Sequence, residues 1–242
     1  MPILKKGDNL IPDNYRGISL LSIVSKVFTA VLNKRLYNWA EIENKISFEQ
    51  AAFRKKFSTT DHIFTLVTII RNRIFSQRSG KVYVCFVDYK KAYDSINRNS
   101  LWKILNDDVG ISSKLLCMFQ SMYNSVFACV RWNGRLSDMF ECTNGLRQGC
   151  LCSPLAFNLM IGKVASFVRE RGLHGIQLIP GGEEIFQLLF ADDIVLISST
   201  PTGLQRQINS LEEISRTLGL TVNLDKTKVM VFRKGGFLGR YE

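Results

Sequence analysis

Apolar residues along this chain recur with two periods, near two and near 3.6 residues, which together predict a fold that mixes strands and helices. Residues 81–87 are apolar at nearly every position, a pattern typical of a central strand covered on both faces. Residues 185–190 and 194–198 are two further apolar runs around a short polar turn, which predicts a strand pair. Helical signals lie around these runs, at residues 23–32, 63–74, 100–105, 113–123, 153–172 and 204–218.

Three of these helices carry apolar residues at regular helical spacing. We expect the sets in the second and last helices to form core stripes. The sets are Ile23, Val27, Ala30, Val31 and Leu32 in the first helix, Ile63, Val67, Ile70 and Ile74 in the second, and Leu204, Ile208, Leu211, Ile214 and Leu218 in the last. Thr200-Pro201 is expected to open the last helix, and Gly219 to end it.

Shorter strands are predicted elsewhere in the chain. Asn133-Gly134, the strongest short hairpin signal, lies between the strand-like residues 126–132 and 135–142. Residues 220–224 and 229–232 are also strand-like, whereas residues 1–8 are expected to form a basic loop or an edge strand.

Composition limits the class of protein. The 242 residues are 46% hydrophobic and carry a formal net charge of +11, so the chain can bury a core and favours a polyanionic partner. Nucleic acid is the first candidate and an acidic membrane the second, with a solvated basic surface as the alternative. Because neither a signal peptide nor an apolar run of about 18 residues is present, we expect an intracellular protein of the nucleus or cytoplasm.

The six cysteines of the chain are expected to be buried thiols. Cys150 and Cys152 do not have the spacing of a zinc knuckle, and both histidines lie far from them in sequence. A structural zinc site is therefore not expected.

Acidic residues follow the apolar runs at two points. Asp192-Asp193 occupies the turn of the predicted strand pair, and Asp88 directly follows the central strand. A solvated turn is the simpler interpretation of the first, and a helix N-cap that of the second. The element order is nonetheless that of a split β-α-β sheet with long insertions, in which the end of the first strand and the hairpin tip can be neighbours.

Three carboxylates in one place would repel one another and raise one another's pKa values unless cations were bound. Two Mg²⁺ ions resolve this repulsion and catalyse displacement at phosphorus. Oxygen ligands without histidine or cysteine favour Mg²⁺ over zinc.

Three ordered segments carry a specific resemblance to a known family. Residues 86–94 (FVDYKKAYD), 147–154 (RQGCLCSP) and 190–193 (FADD) resemble successive motifs of reverse transcriptases, and are most similar to those of non-LTR (LINE-type) retrotransposons. Residues 14–21 (NYRGISLL) and 53–54 (FR) resemble the finger motifs of that family, and residues 219–228 (GLTVNLDKTK) its later palm motif. The similarity extends over nearly the whole chain.

The resemblance implies an α+β fold, namely a right-hand polymerase core in a single domain of residues 1–242. Its palm would contain a split β-α-β (ferredoxin-like) antiparallel sheet, and its fingers helices and strands. The implied boundaries are fingers at residues 1–80 and 97–143, and palm at residues 81–96 and 144–235. No thumb is expected.

The implied activity is RNA-directed DNA polymerisation, in which dNTPs are added to a primer 3′-hydroxyl on an RNA template. Asp88 and Asp192 would bind two Mg²⁺ ions, for which Mn²⁺ can substitute, and Asp193 would be a third carboxylate of that site. Lys226 matches the palm lysine that protonates pyrophosphate. The implied partners are an RNA template, a DNA primer and dNTPs, without a membrane.

Further positions match the substrate-binding residues of the family. Tyr93 matches the aromatic residue that crowds the sugar 2′-carbon, and Gln148 and Gly149 match the loop that lines the incoming nucleotide. The resemblance also suggests a triphosphate clamp at Arg16 and Lys26, and template or primer contacts at Arg54, Ser153 and Pro154.

Two positions depart from the pattern of the family. Ala52 occupies a position where Gly usually precedes Phe-Arg, and Gly17 one where Pro often follows Arg. Since neither thumb nor endonuclease motifs are found, we expect a fragment, a truncated element copy or a domain-only product.

Two other functions compete with an active polymerase. The first is a catalytically silent, RNA-binding remnant of a retrotransposon polymerase, which would bind through its basic surface. The second is a different palm-type nucleotidyl transferase, which the Arg147-Gln148-Gly149 and Ser153-Pro154 segments disfavour. The sequence does not assign an oligomeric state.

Overall fold

The computed structural model describes residues 1–76, 80–171, 175–179 and 181–234. Its helices are Ile23–Ile42 (α1), Thr59–Ser76 (α2), Ala92–Ser95 (α3), Arg98–Lys103 (α4), Ser113–Tyr123 (α5), Ser153–Glu170 (α6) and Pro201–Leu218 (α7). Its strands are Pro2–Leu4 (β1), Tyr15–Gly17 (β2), Lys81–Val87 (β3), Phe127–Ala128 (β4), Arg131–Trp132 (β5), Arg135–Leu136 (β6), Phe140–Glu141 (β7), Ile176–Gln177 (β8), Glu184–Ile185 (β9), Gln187–Phe190 (β10), Asp193–Ser198 (β11) and Lys228–Arg233 (β12).

The chain divides into two compact units. The first unit comprises Met1–Lys45 and Tyr93–Phe157, and the second unit comprises Ile46–Ala92 and Asn158–Glu242. Each unit is therefore built from two separate stretches of sequence.

A four-stranded antiparallel sheet organises the second unit, in the spatial order β10-β11-β3-β12. If the four strands are numbered 1 to 4 along the chain, their spatial order across the sheet is 2-3-1-4. Successive side chains of a strand point to opposite faces, and the neighbouring residues Val84 and Cys85 of β3 are both buried. The central strand is therefore covered on both faces, as predicted. Ile69 of α2 packs against Val82 and Val84, and α7 contacts β11 and β3.

The amphipathic helix α7 forms as its sequence predicts. The Thr200 hydroxyl accepts a hydrogen bond from the Gly203 amide at the N-terminus, and Gly219 ends the helix with φ +75°. Its predicted inward residues are buried except Ile208, which is half-buried.

The apolar set of α2 lies only partly in the core, contrary to the prediction, and most of the apolar set of α1 is exposed. Ile23 is 81% exposed and Val27 60% exposed, whereas Thr29, Leu32, Leu36 and Ala40 are the buried residues of α1. In α2 Ile69 is buried and Ile70 packs against the same core cluster. Ile63 and Val67 are exposed, so that part of the predicted stripe is wrong. Periodicity fixes which residues share a face, but both helices carry apolar residues on more than one face.

The predicted hairpin lies in the first unit as two short ladders, β4 with β7 and β5 with β6. Asn133 and Gly134 both have positive φ, as a two-residue hairpin turn of this type requires. The strand predicted at 220–224 is wrong, because that segment makes only an isolated bridge between Val222 and Tyr89. The predicted helix end at Gly172 lies outside the described residues.

The cysteines only partly match the expectation. All six are free thiols, and Cys85, Cys150 and Cys152 are buried. Cys117 is exposed, so the prediction of burial is wrong there. None of the described helices is long and apolar enough to cross a membrane.

Arg98 is a buried cation that organises the loop before the Gln148 segment. Its guanidinium donates hydrogen bonds to the carbonyl oxygens of Gly145 (2.9 Å), Cys142 (2.7 Å), Asn144 (3.0 Å) and Tyr123 (3.4 Å). Burial lowers the pKa of Arg98, although a guanidinium stays protonated in proteins. One side chain therefore satisfies several backbone acceptors of the first unit.

Arg98→Lys should lower the free energy of unfolding by about 2–4 kcal/mol, because an ammonium cannot reproduce the planar set of donors. Urea unfolding of the variant and of the exposed control Arg131→Lys measures this difference. A loss no larger than that of the control, about 0.5 kcal/mol, would contradict the role of Arg98.

Candidate active site

The register of the central sheet brings two of the predicted carboxylates together. Ile194 of β11 and Val87 of β3 form the last pair of this ladder, so continuation of the register places Asp193 opposite Asp88. Directly opposite residues of antiparallel strands project on the same face, with Cβ atoms about 4.5–5.5 Å apart. Asp192 lies beside them, in the two-residue turn between β10 and β11.

The pKa of Asp193 is raised in this environment. Partial burial of its carboxyl raises the pKa of Asp193, and the carboxylates of Asp192 and Asp88 raise it further. The Lys226 ammonium acts in the opposite direction. The side chain as a whole is exposed, so solvent screens part of this repulsion.

The segment after α7 holds the carboxylate of Asp88. Asn223 Nδ2 donates to Asp88 Oδ2 at 3.0 Å, and Lys226 Nζ lies 3.1 Å from the same oxygen. The backbone is tied as well, since the Asn223 amide donates to the Asp88 carbonyl at 2.7 Å. Lys226 therefore lies beside Asp88. Sequence reasoning missed Asn223, for which the only signal was its place in the motif of residues 219–228.

The donor set fits a hard divalent cation, because it consists of carboxylate oxygens at one end of the sheet. Within the described ranges, no group of three His, Cys, Asp or Glu side chains is already arranged to hold a metal ion. The counter-charge at Asp88 is the Lys226 ammonium.

The hairpin turn is held by a residue that sequence reasoning also missed. Gln50 is fully buried, and its Oε1 accepts hydrogen bonds from the amides of Ala191 (3.0 Å) and Ala52 (2.9 Å). Ala191 is the first turn residue and has φ +56°. A glutamine in a loop gives no sequence signal for such a long-range contact.

Arg54 follows Gln50 in the same loop of the second unit. Its Nη1 donates to the carbonyl oxygens of Ser47 (3.3 Å) and Gln50 (3.2 Å). The guanidinium carbon lies 4.5 Å from the centre of the Phe57 ring. The side chain of Arg54 therefore helps to order the loop in which it lies.

The Gln148-Gly149 loop lies in the first unit and is fixed at two points. The Ser19 amide donates to the Gln148 carbonyl at 2.8 Å, and Gln148 Nε2 donates to Asp94 Oδ1 at 3.2 Å. Gly149 has φ +115°, and a Cβ there would lie 2.7 Å from the Ser19 carbonyl oxygen. This position therefore requires glycine.

Tyr93 lies near the same loop. Its ring stacks on Phe157 with centroids 4.6 Å apart and an interplanar angle of 14°. The Leu146 amide donates to the Tyr93 carbonyl at 2.7 Å, and a Cβ on Gly145 would lie 2.6 Å from the Asp94 carbonyl oxygen. The first unit thus brings Tyr93 into the neighbourhood of the segment that carries Gln148.

The remaining predicted residues of the first unit have simpler surroundings. Ser153 is buried, and its hydroxyl is 3.1 Å from the Tyr123 hydroxyl, which favours a structural role for that side chain. Pro154 is the half-buried second residue of α6. Arg16 of β2 and Lys26 of α1 are exposed. The substrate contacts of these four residues stay predictions.

Asp193→Asn should stabilise the fold at neutral pH. A carboxyl whose pKa is raised in the folded state destabilises the fold when it is ionised. This penalty disappears as the pH falls below the pKa of the carboxyl in the unfolded chain, about 3.9. The melting temperature of the variant should therefore exceed that of the parent at pH 7 and equal it near pH 3. Thermal unfolding across this range checks the sign, and a variant that is less stable at pH 7 would contradict it.

Comparison with known proteins identifies the family of the chain. The family model described as "Reverse transcriptase (RNA-dependent DNA polymerase)" matches residues 3–240. The match covers nearly the whole chain and includes every predicted site residue.

Sequence relatives come from retrotransposable elements. The chain is 26% identical to the Pol polyprotein of the element R2DM of Drosophila melanogaster over 89% of its length, and 25% identical to the transposon TX1 149 kDa protein of Xenopus laevis over 92%. It is 21% identical to the RNA-directed DNA polymerase of the mobile element jockey of Drosophila funebris over 95%. The chain spans only 19%, 17% and 25% of these relatives.

Solved structures with a similar fold include telomerases. Telomerase of Candida tropicalis in complex with a fragment of telomeric RNA matches with a TM-score of 0.63 at 17% identity, over 88% of this chain and 34% of that one. A Candida albicans telomerase complex matches with a TM-score of 0.59 at 16% identity, over 86% and 35%. These likenesses concern the fold alone. With the family model and the retrotransposon relatives, the chain belongs to the reverse transcriptase family, as a domain of the non-LTR retrotransposon type.

Proposed function

We propose that this chain is the core of an RNA-directed DNA polymerase that adds dNTPs to a primer 3′-hydroxyl, with Asp88, Asp192 and Asp193 as its metal-binding carboxylates. The observation that carries the proposal is the strand register that sets Asp193 opposite Asp88. Membership of the reverse transcriptase family supports the reaction class. Its partners would be an RNA template, a DNA primer and dNTPs.

Two bound Mg²⁺ ions would supply charge stabilisation and activation of the primer hydroxyl. The protein contributes carboxylates in fixed orientations, and Asn223 does this for Asp88 by hydrogen bonding to one of its oxygens. The Lys226 ammonium lies beside the same carboxylate. From there it would act as the acid that protonates the departing pyrophosphate.

In the right-hand polymerase fold implied by the motifs, the sheet β10-β11-β3-β12 would be the palm. Its antiparallel 2-3-1-4 order is that of the predicted split β-α-β arrangement and supports this assignment. Fingers at residues 1–80 and 97–143 remain part of the same proposal, as do template contacts by Arg54.

Residues of the first unit would select the nucleotide. Tyr93 would crowd the sugar 2′-position, and its stacking on Phe157 supports a rigid steric barrier. Gln148 and Gly149 would line the nucleotide, and Arg16 and Lys26 would contact the triphosphate. The exposure of both cations is consistent with contact to an anionic ligand.

A catalytically silent RNA-binding remnant is the second candidate. The basic excess of the chain is the observation that supports it, because net positive charge favours binding to nucleic acid whether or not the chain polymerises. Such a remnant would bind RNA–DNA duplex in a salt-dependent manner through its net charge of +11 and add no nucleotide.

Asp192→Asn should reduce Mg²⁺-dependent primer extension on an RNA template by several orders of magnitude, because it removes a carboxylate from the metal site. Duplex binding should remain, since the exchange removes a negative charge. Gel assays with labelled primer measure extension, and filter binding measures affinity. Equal extension by variant and parent would reject the metal site, whereas a parent that binds and never extends would support the remnant.

Tyr93→Ala should relax discrimination against rNTPs, because it removes the ring expected to block a 2′-hydroxyl. The ratio of kcat/KM for dNTP over rNTP measures this effect. Tyr93→Phe is the matched control, since it keeps the ring on Phe157 and should keep the discrimination of the parent. The steric role would be refuted by an unchanged ratio in the alanine variant.

A further inference from the structure

The turn that carries Asp192 is conformationally unfavourable by itself. Of the two turn residues, only the first, Ala191, has positive φ. Two-residue hairpin turns of this kind usually have glycine at that position. A Cβ makes this conformation costly, so surrounding contacts must maintain it. The hydrogen bond from the Ala191 amide to Gln50 is such a contact.

The backbone and the side chain at position 50 have separable roles. The backbone covers the sheet edge at β10, because the Leu189 amide donates to the Glu49 carbonyl at 2.9 Å and the Ala51 amide to the Leu189 carbonyl at 3.0 Å. These bonds do not need a particular side chain at position 50. The Gln50 side chain instead reaches past the end of β10 to the turn.

The hydrogen-bonding pattern shows which part of the Gln50 amide matters. Oε1 accepts two bonds, from Ala52 and Ala191, whereas Nε2 is buried without a partner among the residues that the structure describes. The amide therefore works as an acceptor, a function that a carboxyl group can also perform.

We propose that Gln50 is a positioning residue that fixes the Ala191-Asp192 turn and thereby orients the carboxylate of Asp192. This inference rests on the proposed function as far as catalysis is concerned. Gln50 itself lies outside the reacting groups and acts through the Ala191 amide. A shift of about 1 Å in a reacting group can cost about 100-fold in rate, so loss of this bond should be visible in kcat.

Gln50→Met and Gln50→Glu test the proposal as a pair. Methionine keeps the volume of the side chain and removes the acceptor, and glutamate keeps an acceptor oxygen. Gln207→Met is the control, because Gln207 is equally buried but donates to the Ile197 carbonyl, far from the turn in the sheet. Hydrogen exchange of the Ala191 amide and the thermal midpoint are measured for each protein, together with kcat and KM for dNTP.

We expect Gln50→Met to expose the Ala191 amide to exchange and to lower kcat by about 10- to 100-fold with little change in KM. Gln50→Glu should retain amide protection and most of kcat. Gln207→Met should lose stability without faster exchange at Ala191. If Gln50→Met retained protection, or if kcat fell equally in both methionine variants, the positioning role would be overturned.

The exchange measurement separates this inference from the proposed function. If the parent protein polymerised nothing, the proposed function would fail, yet the Ala191 amide would still report whether Gln50 holds the turn. If the parent polymerised and Gln50→Met matched it in kcat and in exchange, Gln50 would have no positioning role. If Gln50→Met did not fold, loss of protection in the folded Gln50→Glu protein would overturn it.

Discussion

The antiparallel register between β3 and β11 is the constraint on which the candidate site depends. It sets Asp193 opposite Asp88 at the end of the sheet, and the adjacent turn adds Asp192. The apolar residues behind this end keep the register, because a slip of β11 by one residue would turn its side chains to the opposite face of the sheet. Burial of the strands thus overrides the repulsion between the carboxylates.

Side chains from other segments hold the residues of this site and of the Gln148 loop. Lys226 and Asn223 contact Asp88 from the segment after α7, and Gln50 holds the backbone of the turn from a different loop. In the first unit, Arg98 similarly satisfies carbonyl groups of the loop that precedes Gln148. The motifs at residues 86–94 and 190–193 are therefore each held by side chains from outside the motif.

Sequence alone predicted the features that short periods and local signals determine. These include the buried strand β3, the hairpin with Asp192 and the helix α7, and the motif resemblance identified the family. It failed where one helix carries apolar residues on several faces, as for Ile63 and Val67 of α2. It also missed Gln50 and Arg98, because their partners lie 141 and up to 47 residues away and no local pattern encodes such contacts.

The central claim is that the three carboxylates form a divalent-cation centre, and localised cleavage by bound iron tests it directly. Fe²⁺ in place of Mg²⁺, with ascorbate and peroxide, produces radicals that cut the backbone near the ion, and mass spectrometry locates the cuts. We predict cleavage around Asp88 and around Asp192 and Asp193, which excess Mg²⁺ suppresses. Cleavage elsewhere, or cuts at these residues that Mg²⁺ leaves unchanged, would contradict the assignment.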